Sequence, residues 1–244
     1  MGVTIHTGSR NLGKKVCEYW QRTARGEGDR KKEIFNAELK ILKVQYTGRK
    51  LGNKINELRN KLNKNITVKS VGLEFLEGVD IFNYLYDMIF AQEYANLNRH
   101  VIASTILDVL DVNSTPDFIQ SIHNYVNFDD MIIRKGAISA YKGQKCIIPL
   151  NSRDGVLICE GLSNADWNYS APHGAGRVLS RTKAKELITT EQAKNVMKNI
   201  YTFVTPVDES PLVYKNSKII EDAIKPTVTV IDKIIPIHNL KSIG

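Results

Sequence analysis

The chain has 244 residues, of which 42% are hydrophobic and 25% charged, an ordinary globular composition, long enough to bury a real core. It has no run of about 18 apolar residues, and its N-terminus, MGVTIHTGSRNLGKK, lacks the apolar core of a signal peptide. A membrane span and secretion are therefore set aside, and a soluble cytoplasmic protein folding as one domain over residues 1–244 is expected. The formal net charge of +8 and a pI near 9.3 point to an anionic partner, most often nucleic acid, although a lysine-rich solvated surface accounts for the charge equally well. Cys17, Cys146 and Cys159 are widely spaced and form no CxxC pair, which argues against a zinc knuckle or a disulfide framework.

In chain order, residues 3–5 are a short β-branched run that breaks at turn chemistry around His6, Gly8 and Gly13. KKVCEYWQRTA then predicts a helix, with Val16, Tyr19, Trp20 and Thr23 on one face. Between Arg30 and Lys64 lie eleven lysines and arginines against Glu33, Glu38 and Glu57. Apolar residues at helical spacing, interrupted by Gly48 and Gly52, predict two solvated helices with a break. Residues 80–112 carry dense apolar positions with no Gly or Pro, which predicts one long, central, buried helix whose Tyr, Phe and Met residues are core. NSTPDF ends it, with Pro116 starting a new element.

From residue 124 the texture changes. Short β-rich runs at 131–134, 145–149 and 156–159 are punctuated by glycine and read as strands joined by tight loops. Helices return at SRTKAKELI, with Ser180 or Thr182 near the cap, and at TTEQAKNVMKNI, with Thr190 as cap. The C-terminal KPTVTVIDKIIPIHNLKSIG alternates like a strand and ends on a basic tail.

Three histidines lie in polar loops. His6, in IHTGSRNLG, sits where Ser9, Arg10 and backbone N–H groups near a helix start suit an anion, or where a plain strand-to-helix turn would do. His123, in SIHNYVNFDDMIIRKGA, stands near Asp129 and Asp130. Imidazole suits a divalent metal, and carboxylates orient it from behind; a packed histidine is the plainer alternative. His173, in NYSAPHGAGRVLSR, is the strongest case. Gly174 and Gly176 let the backbone approach a ligand, Arg177 and Arg181 add positive charge, and a helix start follows. A neutral imidazole there can attack phosphorus and hold it covalently. The Walker spacing is absent, as are an HExxH helix and a Ser-His-Asp order. Metal-plus-phosphate chemistry is the constellation that fits best.

Together these motifs resemble a known family. IHTGSRNLG, EYANLNR, HNYV, RKGA, IIPLNSRDG, DWNYSAPHGAGRVLSR and DESPLVYKN occur in the order found in the RtcB-type RNA ligases, from residue 3 to the last residues and more weakly across 25–70. The resemblance implies an α/β (α+β mixed) domain of mixed sheets flanked by helices. It also implies a GTP- and manganese-dependent ligase joining an RNA 3′-phosphate, or a 2′,3′-cyclic phosphate opened first, to a 5′-hydroxyl, in RNA repair or tRNA splicing.

By resemblance, His173 is the guanylylated nucleophile, and His6 and His123 match metal-binding histidines. His123 with Asn124, the run Pro149, Leu150, Asn151 and Ser152, and the run His173, Gly174, Ala175 and Gly176 match stretches around GTP. Lys241 looks like the lysine that reads guanine. The sequence departs from the family pattern in lacking the upstream Asp-x-x-Cys and Gly-Asn-His metal ligands: Gly52-Asn53 is followed by Lys54. Val156 stands where many members have a nucleotide-contacting serine. The chain reads as beginning where the family's second half begins. Its expected partners are RNA and GTP, with a separately encoded N-terminal half supplying the remaining ligands. The alternative is a catalytically incomplete fragment that keeps GTP or RNA binding only. With that half absent, some apolar surface is expected to be exposed.

Overall fold

The computed structural model describes residues 2–25, 28–64, 74–112, 117–204 and 206–240. Lys241, assigned to guanine by resemblance, and Pro116, the expected helix start, lie outside the described residues. Helices and several small sheets make a mixed α/β fold. The chain divides into two compact units, Ile5–Asn113 and Met1–Thr4 with Ser114–Gly244.

The first unit is helical: α1 (Arg10–Arg25), α2 (Gly28–Gln45), α3 (Gly48–Lys64) and α4 (Val79–Val109). The β-branched run at residues 3–5 forms no strand. The break in the basic stretch falls at residues 46–47, where Gly48 takes a left-handed φ of 58°; Gly52, expected to interrupt, lies inside α3. α2 packs on α3 and α1 on α4. Trp20 anchors the second pair: it is buried, and its indole N–H donates to Asp87 Oδ2 at 2.8 Å.

α4 has the expected length but not the expected burial. Its buried residues are Ala91 and Ala95, whereas Phe82, Tyr86 and Phe90 are 63%, 72% and 67% exposed. The reason is in its pattern: α4 is apolar on every side, so covering one face leaves the others in the open.

The second unit is built of short strands: β1 (Asn124–Val126), β2 (Ile133–Lys135), β3 (Ala137–Ser139), β4 (Lys145–Asn151), β5 (Gly155–Gly161), β6 (Ser170–Pro172), β7 (Tyr201–Thr202), β8 (Val228–Ile234) and β9 (His238–Asn239). β4, β5 and β8 form an antiparallel sheet, β1 pairs with β2 and β3 with β6, and β7 runs parallel to β9. α5 (Arg181–Leu187), α6 (Thr190–Val196) and α7 (Ser217–Ala223) complete it.

The β4–β5 turn is set locally. Asn151 Oδ1 accepts from the N–H groups of Arg153 and Asp154 at 3.0 and 2.8 Å, and Gly155 supplies a φ of 86°. Alternation along β4 sends Cys146, Ile148 and Leu150 into a core with Ile138, Leu157, Cys159, Ile220 and Ile224. Ser180 caps α5 as expected, but α6 is capped by Thr189, whose capping box with Gln192 moves the cap one residue upstream of Thr190.

Candidate functional site

The centre of the site is Gly136, the hinge between β2 and β3. The β1–β2 ladder pairs Asn124 with Lys135, and the β3–β6 ladder pairs Ala137 with Pro172. One residue further, His123 and His173 both fall opposite Gly136. The Gly136 N–H donates to the His123 carbonyl at 2.7 Å and to Asn124 Oδ1 at 3.1 Å. Its carbonyl accepts from the His173 N–H at 3.4 Å and from the His173 ring at Nδ1. Gly136 sits at φ 69°, and a Cβ there would lie 3.3 Å from the His173 ring. Glycine is thus favoured by backbone conformation, and a Cβ would also crowd the His173 ring. Two imidazoles fifty residues apart are thereby stacked, with ring centroids 4.7 Å apart and planes at 28°.

A carbonyl can only accept, so His173 Nδ1 carries the proton toward Gly136. That tautomer leaves Nε2 with its lone pair, the atom a nucleophilic imidazole uses. The loop after it is anchored on both sides. Gly174 passes so close to β4 that a Cβ would come 2.9 Å from the Pro149 carbonyl. Ala175 is buried in the core, and the Gly176 carbonyl accepts from the Lys215 N–H at 3.1 Å.

Two residues before Gly136, in the RKGA motif, stands a group to which sequence reading assigned no role. Arg134, in β2, is 2% exposed. Its guanidinium donates to Asp130 Oδ2 and to Ser170 Oγ, each at 2.9 Å, and lies 5.9 Å from the Tyr125 ring centroid. The Tyr141 hydroxyl donates to the same Asp130 oxygen at 2.8 Å. One buried cation thus ties together β1, β2 and β6, the strands whose ends adjoin His123, Gly136 and His173. Burial pushes the Asp130 carboxyl up, but hydrogen bonds from Arg134, the Ile132 N–H and Tyr141 outweigh it and hold the group down at about 2. The signal available in the sequence was an arginine inside the apolar run MIIRKGA.

Other residues expected at the site are placed differently. Asp130 is engaged by Arg134 and is not an orienting partner of an imidazole. Arg177 donates to the backbone carbonyls of Leu179 and Asp208 at 3.0 and 2.6 Å and lies over Tyr214, while Arg181 pairs with Glu209 at 3.3 Å. Arg177 is thus committed to backbone, whereas Arg181 stays largely exposed beside Glu209. The helix following the loop, α5, takes the Ser180 hydroxyl as its cap. Leu150 is a core residue, 2% exposed, so what it can offer a ligand is backbone. Asn151 holds the β4–β5 turn, and Ser152 accepts at its carbonyl from Asn239 at 2.8 Å. Val156 is buried in β5.

His6 belongs to the helical unit. The backbone carbonyls of Thr7 and Gly8 beside it accept from Arg99 at 3.3 Å and from Asn98 at 3.2 Å. The EYANLNR segment therefore holds the IHTGSRNLG loop. Among the described residues no group of three His, Cys, Asp or Glu side chains is placed to hold a metal ion, and no described helix is long and apolar enough to cross a membrane. All three cysteines are free thiols. Cys146 and Cys159 face each other across β4 and β5, and burial pushes them up to about 12 and about 11.

Comparison with known proteins agrees with the motif order. A family model described as tRNA-splicing ligase RtcB matches residues 1–242. The chain is 32% identical over 176 residues to RNA-splicing ligase RtcB of Escherichia coli (strain K12), covering 64% of this chain and 43% of that protein. It is 34% identical over 176 residues to RNA-splicing ligase RtcB1 of a second Escherichia coli strain (ATCC 25922), with the same coverage. It is 34% identical over 107 residues to tRNA-splicing ligase RtcB of Aeropyrum pernix, covering 35% of this chain and 22% of that protein. The chain spans less than half the length of these curated relatives. With the family model matched along nearly its whole length, the chain belongs to the RtcB family.

Proposed function

We propose that this chain carries the nucleophile of a cytoplasmic RNA ligase that joins a 3′-phosphate or 2′,3′-cyclic phosphate end to a 5′-hydroxyl end through a guanylylated histidine. The observation that supports it most directly is the anchoring of His173 Nδ1–H on the Gly136 carbonyl. In the proposed step, His173 Nε2 attacks the α-phosphorus of GTP, a P–N bond forms and pyrophosphate leaves. The RNA 3′-phosphate then displaces His173 and takes GMP, and attack by the 5′-hydroxyl forms the phosphodiester and releases GMP. The chain's own part is to present Nε2 in the neutral tautomer, to hold its ring by stacking on His123, and to bring backbone close to the nucleotide at Gly174 and Pro149.

The donor set here does not fit a complete manganese site. His123 and His6 are two candidate ligands in different units, and no described triad accompanies them. Two protein ligands hold a divalent ion loosely. We therefore route no step through the metal and infer that further ligands come from outside these residues. The test is intact-protein mass after incubation with GTP and manganese. The chain alone is expected to give little or no GMP adduct. Addition of the family's N-terminal portion as a polypeptide should restore one, and His173→Ala should abolish it. An adduct that survives His173→Ala would sink the assignment of the nucleophile, and a strong adduct on the chain alone would show that no outside ligand is needed.

A further inference from the structure

A second group of rings stands in the open on the sheet unit. The β7–β9 pairing sets Tyr201 beside His238. Tyr201 is 61% exposed, Phe203 is 69% exposed, and His238 is exposed as well. Tyr201 meets Phe203 edge-on, with centroids 5.3 Å apart and planes at 83°, and meets His238 at 4.9 Å and 74°. Phe203 and His238 are 6.0 Å apart. Each edge contact sets one ring's edge on another's face and fixes the rings against one another, while the exposures of Tyr201 and Phe203 leave much of their surface open to solvent. Upstream of Tyr201, Lys194 and Lys198 are exposed and make no ion pair among the described residues.

The cluster is also tied to the candidate site. Asn239, next to His238, donates to the Ser152 carbonyl at 2.8 Å. Ser152 is three residues beyond Pro149, whose carbonyl faces Gly174. Three residues span at most ~10 Å, a reach of a few nucleotides from the loop of His173.

We propose that Tyr201, Phe203 and His238 form a stacking platform for unpaired nucleobases of the RNA strand whose end is brought to His173; this rests on the reading that the chain acts on RNA. Exposed rings held against one another, with unpaired cations upstream and a net charge of +8, are what a single-stranded nucleic acid needs: bases stack on the ring surface left open while lysines meet phosphates. A duplex, whose bases already stack on each other, gains nothing from the rings.

The test measures fluorescence anisotropy of a labelled ten-nucleotide RNA with the full chain at low salt. The strand is compared with its duplex and with an abasic strand of the same length. Tyr201→Ala with Phe203→Ala is expected to weaken single-strand binding at least tenfold and to leave duplex and abasic binding unchanged. Tyr201→Phe, which keeps the ring, should bind as the parent does. GMP adduct formation by the parent, scored separately by intact mass in the presence of the family's N-terminal portion, reports on the nucleophile, so failure of the nucleophile assignment and failure of the platform remain separate results. Equal losses on all three probes, no loss on any, or no RNA binding by the parent chain would overturn the proposal. A parallel titration with labelled GTP completes the test: weakened GTP binding with single-strand binding intact would overturn the proposal and assign the rings to the mononucleotide instead.

Discussion

In the sheet unit apolar side chains alternate along the strands and close on one core cluster, where Ile148 and Cys159 are 0% exposed and Leu157 is 1% exposed, and a second, smaller cluster gathers Ala184, Ile188, Ala193 and Val213. Among the described residues of the helical unit, Trp20, Leu58, Ala91 and Ala95 are the buried apolar ones, at 6%, 7%, 8% and 9%. Phe82, Tyr86, Phe90 and Leu97, spaced four, four and seven along α4, face outward. The difference teaches that hydrophobic content and burial are separate quantities. A two-sided strand pattern states which face goes in, because successive side chains point opposite ways. A helix apolar all round states only that it wants neighbours on every side.

The comparison is sharpest in the core. Leu157→Ala should cost about 2 to 5 kcal/mol, read as a lowered urea midpoint, whereas Phe90→Ser on α4 should change stability by about 0.5 kcal/mol or less. Equal losses from the two would mean that α4 is packed as tightly as β5.

Next in size is the buried cation. Asp130→Asn should cost about 3 kcal/mol, because it leaves Arg134 charged in an enclosed site without its carboxylate. The pH dependence has a definite sign. The folded carboxyl sits at about 2, below its ordinary 3.8, so its stabilisation is complete above about pH 4 and is lost as pH falls through 2. Urea midpoints taken between pH 5 and 2 should fall less steeply for Asp130→Asn than for the parent; parallel curves would show that Asp130 is not the group responsible.

Gly136→Ala should cost about 1 to 2 kcal/mol from its left-handed φ. It should also press on the His173 ring and weaken GMP adduct formation, measured in the presence of the family's N-terminal portion, by more than the stability loss explains. Retention of a full adduct would argue that the imidazoles do not depend on this hinge. The smallest perturbation is chemical labelling. Cys17, exposed on α1, should react with a thiol reagent in the native protein, while Cys146 and Cys159 should react only after unfolding. Early labelling of either buried thiol would break the contrast between the units.

Local signals in the chain were enough for several elements. The Ser180 cap, the Asn151–Gly155 turn and the long α4 are written in short-range residue choices, since capping, left-handed turns and helical spacing are decided within a few residues. The motif order in the chain was enough for family membership, which the family model bears out over residues 1–242. Tertiary structure alone decided what those residues do for one another. Nothing in the spacing of His123 and His173 announces that they stack. That follows from two strand ladders meeting at Gly136, each with a register set by partners far along the chain. Nor does the sequence say that Arg177 is spent on two backbone carbonyls, that Asp130 serves Arg134 rather than an imidazole, or that Phe82, Tyr86 and Phe90 stay in solvent. Polar and apolar side chains alike are assigned by which neighbours long-range packing delivers, and a linear pattern carries no record of those neighbours.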